Sequence, residues 1–155
     1  MTPGRRFRVM FVCMGNACRS PMAEAIARRD ADDILEACSA GLYPLGGLAD
    51  LTKESLIANG CCTEGLRSKP VTAKALVTAD VIVNLSGLQL DRIFKELFGV
   101  ERRPACEIRA NIEEWDVQDP YGGDAAVYQQ TFRKIERRVL QLAERLRAAE
   151  RAAHA

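Results

Sequence analysis

Near the start of the chain, residues 12–21 read Val12-Cys13-Met14-Gly15-Asn16-Ala17-Cys18-Arg19-Ser20-Pro21. The apolar, β-rich run at 6–13 predicts a buried strand, which ends where Gly15 and Asn16 begin a tight turn. A helical pattern starts at Ser20, and Pro21 suits the first turn of a helix. A loop that joins a strand end to a helix start can turn its backbone N–H groups inward. This junction therefore predicts an anion site at the carboxyl edge of an open α/β sheet.

The rest of the chain alternates between strand and helix patterns. Further strands are predicted at 34–40, 79–85 and 105–117. Helices are predicted at 51–59, at 71–78, around Leu90, Ile93, Phe94 and Leu97, and at 125–149. This order predicts a three-layer α/β sandwich with a central four-stranded parallel sheet. We expect one domain over residues 1–155, with a frayed end at 151–155.

Composition favours a globular protein that remains in the cytoplasm. Apolar residues make up 48% of the 155 residues, yet none of the apolar runs approaches the ~18–20 residues of a membrane span. The apolar run after Arg5, Arg6 and Arg8 is too short for a signal peptide. A formal net charge of +1 argues against nucleic acid or a membrane surface as partner. Without a secretory signal, the six cysteines are expected to be reduced thiols.

Histidine is nearly absent, which narrows the chemistry. The single histidine is His154, and no Cys-x-x-Cys pair exists. A structural zinc site is therefore not expected, and Ser-His-Asp and Cys-His catalysis are excluded. We expect no metal and no organic cofactor.

The loop offers a nucleophile and an anion clamp. Cys13 is predicted at the floor of a positively polarised bowl, an environment that favours a thiolate. Arg19 supplies a planar fork for two phosphate oxygens, and the Ser20 hydroxyl can donate to the sulfur. A cysteine at a strand end is more often a small core residue, and Cys-x5-Arg spacing also arises by chance. The complete segment at a strand–helix junction is more specific, and no Gly-Lys-Ser/Thr follows to make it a Walker loop.

Residues 13–21 resemble the signature of low-molecular-weight protein tyrosine phosphatases. Three further features resemble the same family in the same order: Ser39-Ala40-Gly41 at the end of the second strand, Asp119-Pro120-Tyr121 and a long final helix. The resemblance implies the flavodoxin-like fold called phosphotyrosine protein phosphatase I-like. It also implies hydrolysis of phosphotyrosine through a cysteinyl-phosphate, with a tyrosine-phosphorylated protein or a small aryl phosphate as substrate. We expect a monomer or weak dimer.

The resemblance also implies a role for particular residues. Cys13 would be the nucleophile, Arg19 the phosphate clamp and Asp119 the general acid. Phosphate would be bound by Met14, Gly15, Asn16, Ala17, Cys18, Arg19 and Ser20. Ser39 would support Asn16, and the pocket rim would be formed by Leu42, Tyr43 and Tyr121. In the family the second loop cysteine, here Cys18, can form a reversible disulfide with the nucleophile; otherwise Cys18 is a small core residue.

Arsenate reduction and phosphate transfer are two further functions found on a similar fold. Asn84-Leu85-Ser86-Gly87 stands where the phosphatases commonly have Met-Asp, and it looks more like thioredoxin-coupled arsenate reductases, which share the fold. Those enzymes place redox cysteines where this chain has Ser86 and Ile93. Cysteine phosphocarriers of sugar transport use a similar fold, but they lack the loop arginine and the Asp-Pro acid that are present here.

Overall fold

A four-stranded parallel sheet forms the centre of the protein. The computed structural model describes residues 4–90, 92 and 109–154. The strands are β1 (Phe7–Cys13), β2 (Leu35–Gly41), β3 (Val81–Asn84) and β4 (Asn111–Glu114). They are ordered β2-β1-β3-β4, and every neighbouring pair is parallel. The predicted α/β fold with a four-stranded parallel sheet is confirmed.

Helices cover both faces of this sheet. They are α1 (Arg19–Asp30), α2 (Asp50–Ala58), α3 (Ala73–Thr78) and α4 (Ala125–Ala153). Side chains from α1, α2 and α4 share one core, whereas Leu76 of α3 lies in the second core on the opposite face. Asp124 caps the start of α4 through a hydrogen bond from the Val127 backbone N–H at 3.0 Å. None of the described helices combines the length and the apolar character that a membrane span requires.

The central strand β1 contributes to both cores. Val9 and Phe11 pack against the α1 and α4 side, and Met10 and Val12 pack against the α3 side. Each of these four side chains is at most 1% exposed. A strand enclosed by parallel neighbours and by helices on both faces is apolar without interruption, which is why this run is recognisable in the sequence. It brings the following loop to the carboxyl edge of the sheet.

The structure differs from the sequence-based expectation near the C-terminus. Helix α4 continues through Arg151 to Ala153, where we expected a frayed end, because alanine and arginine both favour helix. Strand β4 occupies only Asn111–Glu114 of the predicted 105–117. Residues 105–108 lie outside the described part of the chain. The helix predicted around Ile93, Phe94 and Leu97 also lies outside it.

Candidate active site

Cys13 ends β1, and the loop of residues 14–18 joins it to α1. The Cys13 side chain is 2% exposed, and its Sγ lies 2.9 Å from Ser20 Oγ. Asn16 has a φ of +49°, the one positive value at a non-glycine position in the described chain. Asparagine tolerates this left-handed geometry better than most residues. The backbone thus turns sharply at Asn16, between the end of β1 and the start of α1.

The side-chain amide of Asn16 fixes the loop through three hydrogen bonds. Its Nδ2 donates to Ser20 Oγ at 2.7 Å and to Ser39 Oγ at 3.1 Å, while its Oδ1 accepts from the Lys69 backbone N–H at 2.9 Å. Asn16 is fully buried. The Asn16–Ser39 contact is the pair that the family resemblance implies. Neither Asn16 nor Ser20 lines the pocket described below. The Asn16 side chain supports the loop, and the Ser20 hydroxyl contacts the Cys13 sulfur.

A buried carboxylate extends this network, and sequence reasoning missed its role. Glu24 of α1 is 1% exposed and accepts a hydrogen bond from Ser39 Oγ at 2.7 Å. Arg28 lies 2.6 Å and Lys69 3.7 Å from its carboxylate oxygens, so the buried charge is compensated. The available signal was its position four residues after Ser20, on the same face of α1.

The guanidinium of Arg19 is buried and oriented by carbonyl groups. Its side chain is 7% exposed, and Nη1 donates to the Leu85 carbonyl and, at 3.1 Å, to the Val117 carbonyl. Nη2 lies 3.5 Å from Asp119 Oδ2. Nε has no hydrogen-bond partner among the described residues. A buried guanidinium with an unsatisfied N–H has donors available for an anion, because buried donors are normally paired.

Asp119 lies in the loop before α4. Its Oδ1 accepts from the Tyr121 backbone N–H at 3.1 Å, and its side chain is about half exposed (48%). The next residue, Pro120, is buried, and its carbonyl accepts from the Gly123 N–H at 2.8 Å. These contacts fix the carboxylate at the solvent side of the Arg19 guanidinium.

The three predicted catalytic side chains line one pocket of about 160 Å³. Its lining residues are Cys13, Met14, Gly15, Ala17, Cys18, Arg19, Tyr43, Leu45, Asp119 and Tyr121. Among the described residues no group of three or more His, Cys, Asp and Glu side chains is placed to hold a metal ion. The pocket therefore joins a thiol, a guanidinium and a carboxylate, the groups needed to bind an anion and transfer it to sulfur.

The rim differs from the sequence-based expectation at one position. Tyr43 and Tyr121 line the pocket and are exposed, but Leu42 is only 4% exposed and packs in the core on the α3 side. Its assignment to the rim was wrong because the chain bends at Leu42 and Tyr43, where Leu42 packs inward and Tyr43 faces the pocket. The missed rim residue is Leu45, which is 62% exposed. The sequence has no signal that distinguishes Leu45 from its exposed neighbours Tyr43 and Pro44.

Cys18 lines the same pocket as Cys13 and contacts the final helix. Its Sγ lies 3.4 Å from the hydroxyl of Tyr128, and both side chains are buried. Burial raises the pKa of the Cys18 thiol, and the hydrogen bond with Tyr128 partly offsets that rise. Burial and the same hydrogen bond raise the pKa of Tyr128. Both groups are therefore neutral at physiological pH.

Comparison with known proteins agrees with this geometry. The family model described as low molecular weight phosphotyrosine protein phosphatase matches residues 8–152. A protein-arginine-phosphatase of Bacillus subtilis (strain 168) is 32% identical over 151 residues, covering 92% of this chain and 99% of that protein. The low molecular weight protein-tyrosine-phosphatase PtpB of Staphylococcus epidermidis is 34% identical over 132 residues, covering 83% and 91%.

Solved structures show the same architecture. The YwlE arginine phosphatase from Geobacillus stearothermophilus has a TM-score of 0.79 at 26% identity, covering 96% of this chain and 98% of that chain. An arsenate reductase in its phosphate-binding state has a TM-score of 0.71 at 24% identity, covering 90% and 98%. At that identity the second likeness is one of fold.

A methyl group at Gly41 should disturb the loop. A Cβ there would lie 2.8 Å from both the backbone N and the Cβ of Asn16, so Gly41→Ala must displace the loop. We expect binding of inorganic phosphate, measured by calorimetry, to weaken about tenfold or more, since overpacking costs about 1–3 kcal/mol. Gly47→Ala is the matched control because a Cβ there meets nothing within 4 Å. Equal phosphate affinity in the two variants would contradict this account of the loop.

Proposed function

Because this chain belongs to the low molecular weight phosphotyrosine protein phosphatase family, we propose that it hydrolyses phosphotyrosine in proteins through a cysteinyl-phosphate on Cys13. The observation that carries this proposal is the shared pocket of Cys13, Arg19 and Asp119. The thiol lies at the end of the central strand, the guanidinium is buried beside it, and the carboxylate stands at the opening. This is the order that a displacement at phosphorus requires.

In the first step the thiolate of Cys13 attacks phosphorus. The S–P bond forms as the P–O bond to the leaving group breaks, and Asp119 supplies a proton to the departing oxygen. The unpaired Nε of Arg19 and its Nη2 donate to the phosphoryl oxygens, while two backbone carbonyls hold Nη1. The Ser20 hydroxyl, 2.9 Å from the sulfur, stabilises the thiolate.

In the second step water hydrolyses the cysteinyl-phosphate. The carboxylate of Asp119, now deprotonated, accepts a proton from the attacking water. The S–P bond breaks, inorganic phosphate is released, and the thiolate leaves with a hydrogen bond from Ser20. Asp119 thus acts as acid and then as base.

The rim supports an aromatic leaving group. Tyr43 and Tyr121 are 52% and 65% exposed at the pocket opening, and Leu45 lies beside them. Such flat and apolar side chains favour contact with a phenyl ring, while the phosphate is bound below. We infer that a tyrosine-phosphorylated protein or a small aryl phosphate binds here.

Phosphoarginine in proteins is the second candidate substrate. It is favoured by the similarity to proteins named arginine phosphatases, which extends over nearly the whole chain. The chemistry at Cys13 would be the same, but the bond broken would be P–N and the leaving group a guanidine. Asp119 at the rim would then face a basic group, which is also a favourable pairing.

Arsenate reduction and phosphate carriage have less support from the site. At the end of β3 the Ser86 hydroxyl donates to Asn84 Oδ1 at 2.6 Å, so an alcohol occupies the position of the first reductase shuttle thiol. The second position, Ile93, lies outside the described residues. A phosphocarrier does not require Arg19 and Asp119, which both line the pocket here.

We also propose a cytoplasmic location and a monomer or weak dimer.

Two phosphopeptides distinguish the candidate substrates. We expect the protein to hydrolyse a phosphotyrosine peptide with a higher kcat/KM than a phosphoarginine peptide that is identical except at the phosphorylated residue. Phosphate release measures both rates. Cys13→Ser should lose turnover of both while still binding inorganic phosphate, because Arg19 and the loop remain. The reverse preference selects the phosphoarginine substrate, and steady hydrolysis by Cys13→Ser would falsify the covalent mechanism. Arsenate-dependent oxidation of thioredoxin should stay at background.

The role of Asp119 is tested by leaving groups of different basicity. Asp119→Asn keeps an oxygen that accepts from the Tyr121 N–H but cannot donate an acidic proton. We expect kcat to fall by about 10²–10⁴ for phenyl phosphate and by much less for p-nitrophenyl phosphate, whose leaving group is stable unprotonated. A small loss that is equal for both esters would assign the acid to another residue.

We also propose that Cys18 protects Cys13 from irreversible oxidation. Peroxide converts the Cys13 thiolate to a sulfenic acid as the O–O bond breaks and hydroxide leaves. Cys18 sulfur then attacks that sulfenic sulfur, and water is released as the S–S bond forms. Cys18→Ser should therefore lose activity irreversibly under peroxide, whereas dithiothreitol should restore the wild type. Cys61→Ser, a buried thiol outside the pocket, is the matched control. Full recovery of Cys18→Ser would refute the protective role.

A further inference from the structure

We infer that Asn84 is a positioning residue that fixes the Arg19 guanidinium through the two backbone carbonyls that hold it. This inference rests on the proposed function only in that Arg19 is taken as the phosphate clamp. Asn84 ends β3, is 1% exposed and does not line the pocket. It therefore acts on the reaction through other residues.

The first carbonyl belongs to Leu85, and the Asn84 side chain fixes the backbone that follows it. Asn84 Oδ1 accepts from the Ser86 backbone N–H at 3.0 Å and from Ser86 Oγ at 2.6 Å. Asn84 Nδ2 donates to the Leu88 carbonyl at 2.6 Å. On its other side the Leu85 N–H donates to the Val12 carbonyl at 2.7 Å. Leu85 is thus held by β1 on one side and by Asn84 on the other.

The second carbonyl belongs to Val117, which follows β4. Asn84 Nδ2 donates to Glu114 Oε2 at 2.7 Å, and the Asn84 carbonyl accepts from the Trp115 N–H at 2.9 Å. The Val117 N–H donates to the Trp115 carbonyl at 3.1 Å. Both segments that supply acceptors to Arg19 are therefore joined through Asn84.

This arrangement gives Asn84 a specific effect on anion binding. The Asn84 amide donates through Nδ2 and accepts through Oδ1, so no smaller side chain can form the same hydrogen bonds. When the amide is removed, the backbone hydrogen bond from Trp115 to Asn84 remains. The side-chain bonds to Ser86, Leu88 and Glu114 are lost, so the Leu85 and Val117 carbonyls are less firmly placed and the guanidinium fork can rotate. A clamp that is misplaced by about 1 Å costs about 10²-fold in rate. The effect should vanish when the fork itself is absent.

A double-mutant comparison tests this coupling. We expect Asn84→Ala to lower kcat/KM for p-nitrophenyl phosphate and to weaken vanadate binding by about 10- to 100-fold. In an Arg19→Lys background the same change should reduce either quantity less than about threefold, because the ammonium has no fork to orient. If Asn84→Ala lowers kcat/KM by the same factor in the wild type and in Arg19→Lys, the inference is overturned. Normal kinetics of Arg19→Lys would instead refute Arg19 as clamp and thus the proposed function.

Glu114 provides a test that does not perturb the core. Its side chain is exposed, so both Glu114→Ala and Glu114→Gln should fold. Gln retains an oxygen that accepts from Asn84 Nδ2 and should behave like the wild type. Glu114→Ala removes that acceptor and should lower kcat/KM by about two- to tenfold, the factor that corresponds to the free energy of one hydrogen bond. Identical kinetics for the two variants would overturn the inference, even if Asn84→Ala did not fold.

Asn59→Ala is the matched asparagine control. The Asn59 side chain makes three hydrogen bonds, one with Ser55 and two with Gln129, against four for Asn84, but it lies away from the pocket. Asn59→Ala should lower the melting temperature while leaving kcat/KM unchanged. A loss of kcat/KM as large as that of Asn84→Ala would show that generic destabilisation explains both variants.

Discussion

The active-site loop depends on the buried amide of Asn16. This single side chain satisfies Ser20, Ser39 and the Lys69 backbone at once, from a left-handed conformation that few residues accept. Because the amide is fully buried, each of these hydrogen bonds must form or the loop carries an unpaired polar group. The position of the Cys13 sulfur follows from this constraint, and Gly41 is needed because the loop passes directly over it.

In the proposed mechanism, reaction chemistry and substrate choice depend on different layers of the site. Cys13 and Arg19 are held in the interior, where neighbouring groups determine their orientation. Tyr43, Leu45 and Tyr121 are more than half exposed at the pocket opening. A change of leaving group from phenol to guanidine alters the demands on the outer layer and on Asp119, but not on the inner one. This separation explains how one scaffold accommodates both tyrosine and arginine phosphatases.

The features that are predictable from the sequence are those with a local signal. The apolar run of β1, the turn residues after Cys13 and the amphipathic pattern of α4 each lie within one segment, and each is recognisable there. The position of Glu24 four residues after Ser20 is a local signal, but its burial against Ser39 depends on which elements become neighbours. The outward position of Leu45 likewise depends on the tertiary structure. Leu42 was misplaced because the direction of each side chain in the bend after β2 depends on the tertiary structure. Asn84 stands out in the sequence only as a departure from a family pattern, since its contacts with Glu114 and Trp115 form only when β4 pairs with β3.

The network beneath the loop also determines how the site can open. Asn16 is bonded to α1 through Ser20, to β2 through Ser39 and to the segment after residue 68 through Lys69. Three separate parts of the chain must therefore release together before the loop can unfold. Such a loop cannot unfold locally at low free-energy cost, whereas many binding loops can, and their amide protons exchange quickly for that reason. Its amide protons should exchange with solvent only through the cooperative unfolding unit that includes β1 and β2, so that the active site is as long-lived as the sheet itself.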